Sequence, residues 1–262
     1  NADGTVGYSN SGVERLQQLA AGEVAEDSFI YAIRLGNGTL SWARVCVQVM
    51  GTNDQPQILA ANSKATGLTA ELVNQRASTT NNAVSGAIAF KDVDLSDTHT
   101  AHQADPIFSW SGGTLSDSQT AALKNASTLA LTMTDSTKSG FGSVDWNYSA
   151  KDMAFDFLGK DQTLTVTYRV SIADNHGGTA SQNVVITLTG TNDAVSITSG
   201  AQVGSVIEDS TTAHAQSGTI AFTDADLSDN HTATFAAAAG NTTALGKFAL
   251  SPVAEAANAA NG

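Results

Sequence analysis

The sequence predicts an all-β chain of tandem β-sandwich repeats with short helical turns in the connections. Three observations carry that reading. First, a fifteen-residue phrase occurs twice: Ala87–Ala101 reads AIAFKDVDLSDTHTA and Thr219–Ala233 reads TIAFTDADLSDNHTA, identical at eleven positions. Second, Gly-Thr-Asn-Asp occurs at Gly51–Asp54 and again at Gly190–Asp193. Two unrelated phrases returning 132 and 139 residues apart mean that a whole domain is duplicated. Third, short runs rich in Val, Ile, Thr and Tyr alternate with Gly, Asn, Asp and Ser, the pattern of strands and turns.

Taken in order, Val13–Ala21 (VERLQQLAA) is helical by propensity and is followed by Gly22. Ser28–Leu35, a Gly-Asn-Gly turn and Leu40–Met50 predict a strand pair. Ser85–Phe90 predicts a strand that runs directly into an Asp cluster. Ser116–Asn125 carries Ser at an N-cap position with Gln three residues later, a capping box. Thr163–Ile172 and Gln182–Thr189 are strands joined by the turn-rich Ala173–Gly178, ADNHGG. Aligning the copies makes 55–193 a complete repeat, 1–54 the back part of a preceding one and 194–262 the front part of a following one. From junction to Asp cluster the first copy is longer, so an extended loop is expected near Ala60–Asn82. The chain reads as a segment of a longer polypeptide.

A net charge of −13, from 25 acidic and 12 basic residues, repels phosphate backbones and argues against nucleic-acid binding. No apolar run reaches the roughly 20 residues of a membrane span, so no membrane insertion is expected in this segment. Cys46, within WARVCVQVM, reads as a small core hydrophobe and leaves no disulfide. Extra stabilisation must come from elsewhere, and an acidic chain points to a divalent cation.

Asp92, Asp94 and Asp97 follow one strand, and Asp224, Asp226 and Asp229 follow its copy. Three carboxylates within six residues repel one another unless a cation or solvent relieves them. Hard oxygen donors of this kind suit Ca²⁺, which takes about six to eight oxygens. The spacing is not that of an EF-hand: Gln103 and Phe235 stand where its closing Glu belongs, and the loop Gly is missing. Solvated turns held by Asx hydrogen bonds are the plain alternative, and Asp97 and Asp229 could cap the turn that follows.

These phrases resemble the VCBS repeats of large bacterial surface and biofilm adhesins. Those repeats are cadherin-like, immunoglobulin-like sandwiches that end a unit in Gly-Thr-Asn-Asp followed by Pro. The match is Gly51-Thr52-Asn53-Asp54-Gln55-Pro56 and, without the Pro, Gly190-Thr191-Asn192-Asp193-Ala194-Val195. The resemblance implies Ca²⁺ at each junction. Its ligands would be Asn53, Asp54, Asp92, Asp94 and Asp174 at the first, and Asn192, Asp193, Asp224 and Asp226 at the second. Asp97, Asp229, Glu71 and Glu208 are weaker candidates. The same resemblance implies a secreted, extracellular location, neighbouring repeats of the same polypeptide as partners, and a stalk-like role in cell adhesion.

A glycan- or exopolysaccharide-binding module is the second reading, with Trp110 as the expected exposed aromatic. No enzyme is expected. Gly-x-Ser-x-Gly is absent, and Gly240–Lys247 has one residue too many for a phosphate loop and is followed by Phe248. His99, His102, His176, His214 and His231 show no zinc spacing. His99 and His231 recur with the Asp cluster, and packing or turn roles are expected for them.

Overall fold

The computed structural model describes residues 7–208, 214–241 and 245–256. It begins with a 3-10 turn at Glu14–Gln18, within the short helical stretch expected over Val13–Ala21, and Gly22 ends that segment at φ +84°. An antiparallel hairpin follows, β1 (Val24–Arg34) and β2 (Leu40–Met50). Residues 55–193 then fold as a two-sheet sandwich. One sheet is ordered β3 (Gln57–Ile58), β5 (Asn81–Lys91), β9 (Phe141–Lys151), β8 (Ser127–Thr134). The other is ordered β4 (Thr66–Ala70), β11 (Thr179–Thr189), β10 (Thr163–Asp174), β6 (His99–Gln103), and β7 (Ile107–Trp110) also pairs with β10.

Alternation decides the core. Ile88, Phe90, Val144, Trp146 and Tyr148 point from the first sheet toward Leu164, Val166, Tyr168, Val170, Ile172, Val184, Ile186 and Leu188 of the second. Full burial of each such side chain contributes about 1.5–3 kcal/mol. Trp146 Nε1–H donates to the Lys64 carbonyl at 2.8 Å, so its one polar atom is satisfied within the core. The helix α1 (Asp117–Ala126) closes the connection from β7 to β8. Its capping box is formed as expected: Ser116 Oγ accepts from the Gln119 amide, and Gln119 reaches back to the Ser116 amide.

Three expectations are corrected. The extended loop near Ala60–Asn82 contains β4, which runs parallel to β11 and completes a sheet edge. Cys46 is exposed. The register of β1–β2 repeats that of β10–β11 at a spacing of 139, which puts Cys46 at the position of the outward-facing Val185. Period two fixes which residues share a face but not which face is buried. Trp110 is buried at 7% exposure, donates from Nε1 to Gln162 Oε1 at 2.9 Å and meets Phe157 edge-on. It presents no stacking surface for a sugar.

After residue 193, β12 (Ser196–Ile197) pairs with β13 (Phe222–Thr223), repeating the β3–β5 pairing that leads into the first Asp cluster. No helix among the described residues is long and apolar enough to cross a membrane.

Candidate metal centres at two joints

Each Gly-Thr-Asn-Asp phrase leaves the last strand of one segment and meets the Asp loop of the next. Its glycine is required by close approach. A Cβ at Gly51 would run into the Leu19 and Ala20 carbonyls, and one at Gly190 into the Leu158 and Gly159 carbonyls. These are matching positions in the two copies. The Leu95 amide donates to the Gln18 carbonyl, and the Leu227 amide to the Phe157 carbonyl, both at 3.3 Å. The two joints are therefore built alike.

At the first joint the Asp54 amide donates to Asp94 Oδ2 at 2.7 Å, and the Asp94 amide to Asp92 Oδ1 at 3.0 Å. Asn53 Nδ2 donates to Asp174 Oδ2 at 3.2 Å. Asp174 is held by the turn that follows it: its Oδ1 accepts from the His176 and Gly178 amides at 2.9 and 2.8 Å. Those bonds, with the one from Asn53, keep its carboxyl below the usual range despite the opposing effect of burial. Asp92, Asp97 and Asp174 are all buried, and one oxygen from each lies within 4.8 Å of the others. Asp97, expected only as a weak candidate, is wholly buried in this cluster. His176 Nδ1 lies 2.9 Å from Asp97 Oδ1 but off the line of a hydrogen bond.

At the second joint the Asp193 amide donates to Asp226 Oδ2 at 2.9 Å and the Asp226 amide to Asp224 Oδ1 at 3.2 Å. Here the preceding segment contributes carboxylates. Glu71, Asp156 and Asp193 place one oxygen each within 4.8 Å of one another. Glu71 Oε2 accepts the Thr191 amide at 2.9 Å. Asp152, which anchors the Leu72 amide and Asn82 Nδ2 through Oδ1, keeps Oδ2 buried beside them. Burial, with repulsion from Asp193, Asp156 and Asp226, pushes Glu71 up to about 8 against the Thr191 hydrogen bond. Burial likewise raises Asp226 to about 7 and Asp94 to about 6.

The remaining candidates are placed less centrally. Asp54 and Asn192 have exposed side chains; Asp54 takes part through its amide, and Asn192 Nδ2 donates to the Asp193 carbonyl. Asp229 is half-buried, and Glu208 is exposed and outside both clusters. Asp152 and Asp156 are not legible from the repeat, because Val13 and Gln17 stand 139 positions earlier.

The fit of a cation rests on unpartnered atoms. Among the described residues, eleven buried side-chain oxygens have no hydrogen-bond partner, and all lie at these two joints. Four belong to Asn53, Asp94 and Asp97; seven belong to Glu71, Asp152, Asp156, Thr191, Asp193 and Asp226. Leaving one buried acceptor unpaired costs about 1–3 kcal/mol, more when it is charged. Oxygen-only donor sets of this kind fit a hard divalent cation such as Ca²⁺.

Two of the histidines hold the Asp turns. His99 Nε2 meets Asp92 Oδ2 at 3.1 Å and its Nδ1 meets Asp135 Oδ1 at 2.8 Å. His231 Nε2 meets Asp224 Oδ2 at 2.9 Å and its Nδ1 meets Glu255 Oε2 at 2.7 Å. The repeat of His99 and His231 beside the Asp cluster was the available signal. His102 and His214 take no part in either arrangement.

Neither a protein-family model nor a curated protein matches the chain. Solved structures similar to it include zebrafish RET cadherin-like domains 1 to 4, at 13% identity, covering 64% of this chain and 34% of that one, TM-score 0.28. Mouse clustered PcdhgC3 EC1-3 gives 12% identity, 81% and 57% coverage and TM-score 0.35. AggA, the major subunit of aggregative adherence fimbriae type I from Escherichia coli, gives 16% identity, 53% and 97% coverage and TM-score 0.28. The chain thus spans a third to under three fifths of those two cadherin-like structures. Likenesses of this size assign no role to any residue.

Proposed function

We propose that this chain is a run of calcium-stiffened structural repeats from a secreted bacterial cell-surface adhesin, similar to VCBS repeats. Residues 55–193 are a complete repeat, 1–54 the back of a preceding one and 194–262 the front of a following one. The matching register of β1–β2 and β10–β11 supports that division. Further support comes from burial: Phe29, Ile33 and Tyr31 are exposed in the hairpin, whereas their counterparts Tyr168, Ile172 and Val170 are core residues.

The observation that carries the metal reading is the confinement of every buried unpartnered side-chain oxygen, among the described residues, to the two joints. Asn53, Asp92, Asp94, Asp97 and Asp174 would hold the ion at the first joint. Glu71, Asp152, Asp156, Asp193, Asp224 and Asp226 would hold it at the second, with Asp229 at its margin. When bound, the ion supplies the positive charge that the buried carboxylates lack. The chain does the rest: the Asp54 and Asp193 amides tie each linker to the next Asp loop, and the Leu95 and Leu227 amides tie that loop to the segment before. An ion bound only to the assembled joint stabilises it by about 2.7 kcal/mol at a hundredfold excess over Kd.

Small-angle scattering with Ca²⁺ and with EGTA tests this. The reading requires a longer, less flexible particle in calcium. A scattering profile and melting temperature indifferent to millimolar Ca²⁺ would overturn it.

A further inference from the structure

The joint loops are held from behind by a carboxylate–histidine–carboxylate tether that recurs at both joints. At the first, His99 lies between Asp92 and Asp135, with its side chain and that of Asp92 fully buried. Asp135 grips the histidine twice, its Oδ2 also accepting the His99 amide at 3.1 Å. Ser136 Oγ adds a contact to Nδ1 at 3.3 Å, and Phe90 covers the ring at 5.1 Å between centroids. At the second, Glu255 Oε1 accepts the His231 amide at 2.9 Å, and Phe222 covers the ring at 4.7 Å.

The outer carboxylate makes the recurrence informative. The two histidines and their inner aspartates are 132 residues apart, but Asp135 and Glu255 are only 120 apart. The connection is twelve residues shorter in the second copy and the residue type differs, yet a carboxylate reaches the same two atoms of the histidine. The contact thus recurs through a change of residue type and of connection length.

We propose that His99 and His231 are positioning residues: each fixes Asp92 or Asp224 so that the Asp-x-Asp loop is already formed before any ion arrives. The chain of contacts is short. Nε2–H fixes one oxygen of Asp92, and the other oxygen then accepts the Asp94 amide, whose carboxylate receives the linker amide of Asp54. The same sequence runs through Asp224, Asp226 and Asp193. Second-layer partners of this kind typically change metal affinity by about 10–100-fold when removed. The consequence for calcium rests on the metal reading above; the preformed loop does not.

Amide hydrogen exchange on the whole chain tests it, with wild type, His99→Asn and His99→Gln each in EGTA and in Ca²⁺. An Asn amide reaches the position of Nδ1 and keeps the Asp135 bond; a Gln amide reaches the position of Nε2 and keeps the Asp92 bond. In EGTA, His99→Asn should speed exchange at the Asp94 and Asp97 amides about tenfold, the loss expected for one hydrogen bond to a charged group. His99→Gln should stay close to wild type, and the Asp226 and Asp229 amides should not change. The mirrored pair, His231→Asn and His231→Gln, gives the same reading at the second joint should a His99 variant fail to fold. In calcium, His99→Asn should weaken binding at the first joint about tenfold. Unchanged exchange in His99→Asn, or equal acceleration in both His99 variants, overturns the positioning role. The predicted exchange pattern in EGTA with no calcium response in wild type supports the tether and sinks the metal reading alone.

Discussion

The backbone amide of Asp193 donates to the Asp226 carboxylate at 2.9 Å, joining the end of one repeated phrase to the middle of the next. Neither the Asp193 carboxylate, whose two oxygens are both buried, nor Asp226 Oδ1 has a hydrogen-bond partner. The joint is thus held by backbone hydrogen bonds while its charges remain unsatisfied. Most of the expected behaviour follows from that division.

Asp193→Asn separates the two contributions. In EGTA it removes a buried, unpartnered charge and should stabilise the chain, by about 1–3 kcal/mol. In calcium it removes a donor, so the gain on adding the ion should shrink. Thermal melts in the two buffers check this. A variant less stable than wild type in EGTA would show that the carboxylate is satisfied without an ion.

The joints should respond unequally to calcium. The second has Asp152 and Asp156 from the segment before it; Val13 and Gln17 stand at those positions ahead of the first. Asp156→Asn should therefore lower calcium affinity at the second joint by at least about tenfold, the loss typical of a mere partner of a ligand, and leave the first unchanged. Calorimetric titration of the two classes of site reads this directly, and equal losses at both joints would contradict it.

Without calcium, stability should fall as pH rises. Glu71 titrates at about 8 in the folded chain against 4.5 ordinarily, so folding favours its protonated form. That contribution is fully present below about 4.5 and is lost as pH climbs through about 8. Asp226 and Asp94 act in the same direction at about 7 and about 6. Melting temperatures in EGTA should decline across this window, and saturating calcium should remove the decline. A rise with pH in EGTA would contradict the burial of these groups.

Trp110→Ala should cost about 3–5 kcal/mol, as for a large core side chain. Denaturant unfolding checks it. A loss of glycan binding in a variant of unchanged stability would restore the surface role that its burial denies.

The sequence carried the architecture because repetition and period-two patterning are local and survive without coordinates. The hairpin turn Ala173–Gly178 and the capping box at Ser116 were legible that way, while the meeting of Asn-Asp linkers with Asp-x-Asp loops was implied by the family resemblance. Repetition reveals only what both copies share in type and spacing. Asp152 and Asp156 occur in one copy, and Asp135 and Glu255 differ in both residue and spacing, so neither pair left a signal. Cys46 was misplaced for another reason: alternation does not say which face the second sheet will cover. Trp110 has no counterpart in the repeat, so repetition said nothing of its burial.

The sequence by itself determined that the chain is duplicated, strand-built and acidic, and that its Asp clusters accompany its linkers. Tertiary structure alone decided that Glu71 and Asp156, 85 residues apart, meet Asp193, and that His99 bridges Asp92 and Asp135. The physical reason is that burial belongs to no residue alone. A carboxylate becomes an unsatisfied charge only when two sheets and a neighbouring loop have taken its water away.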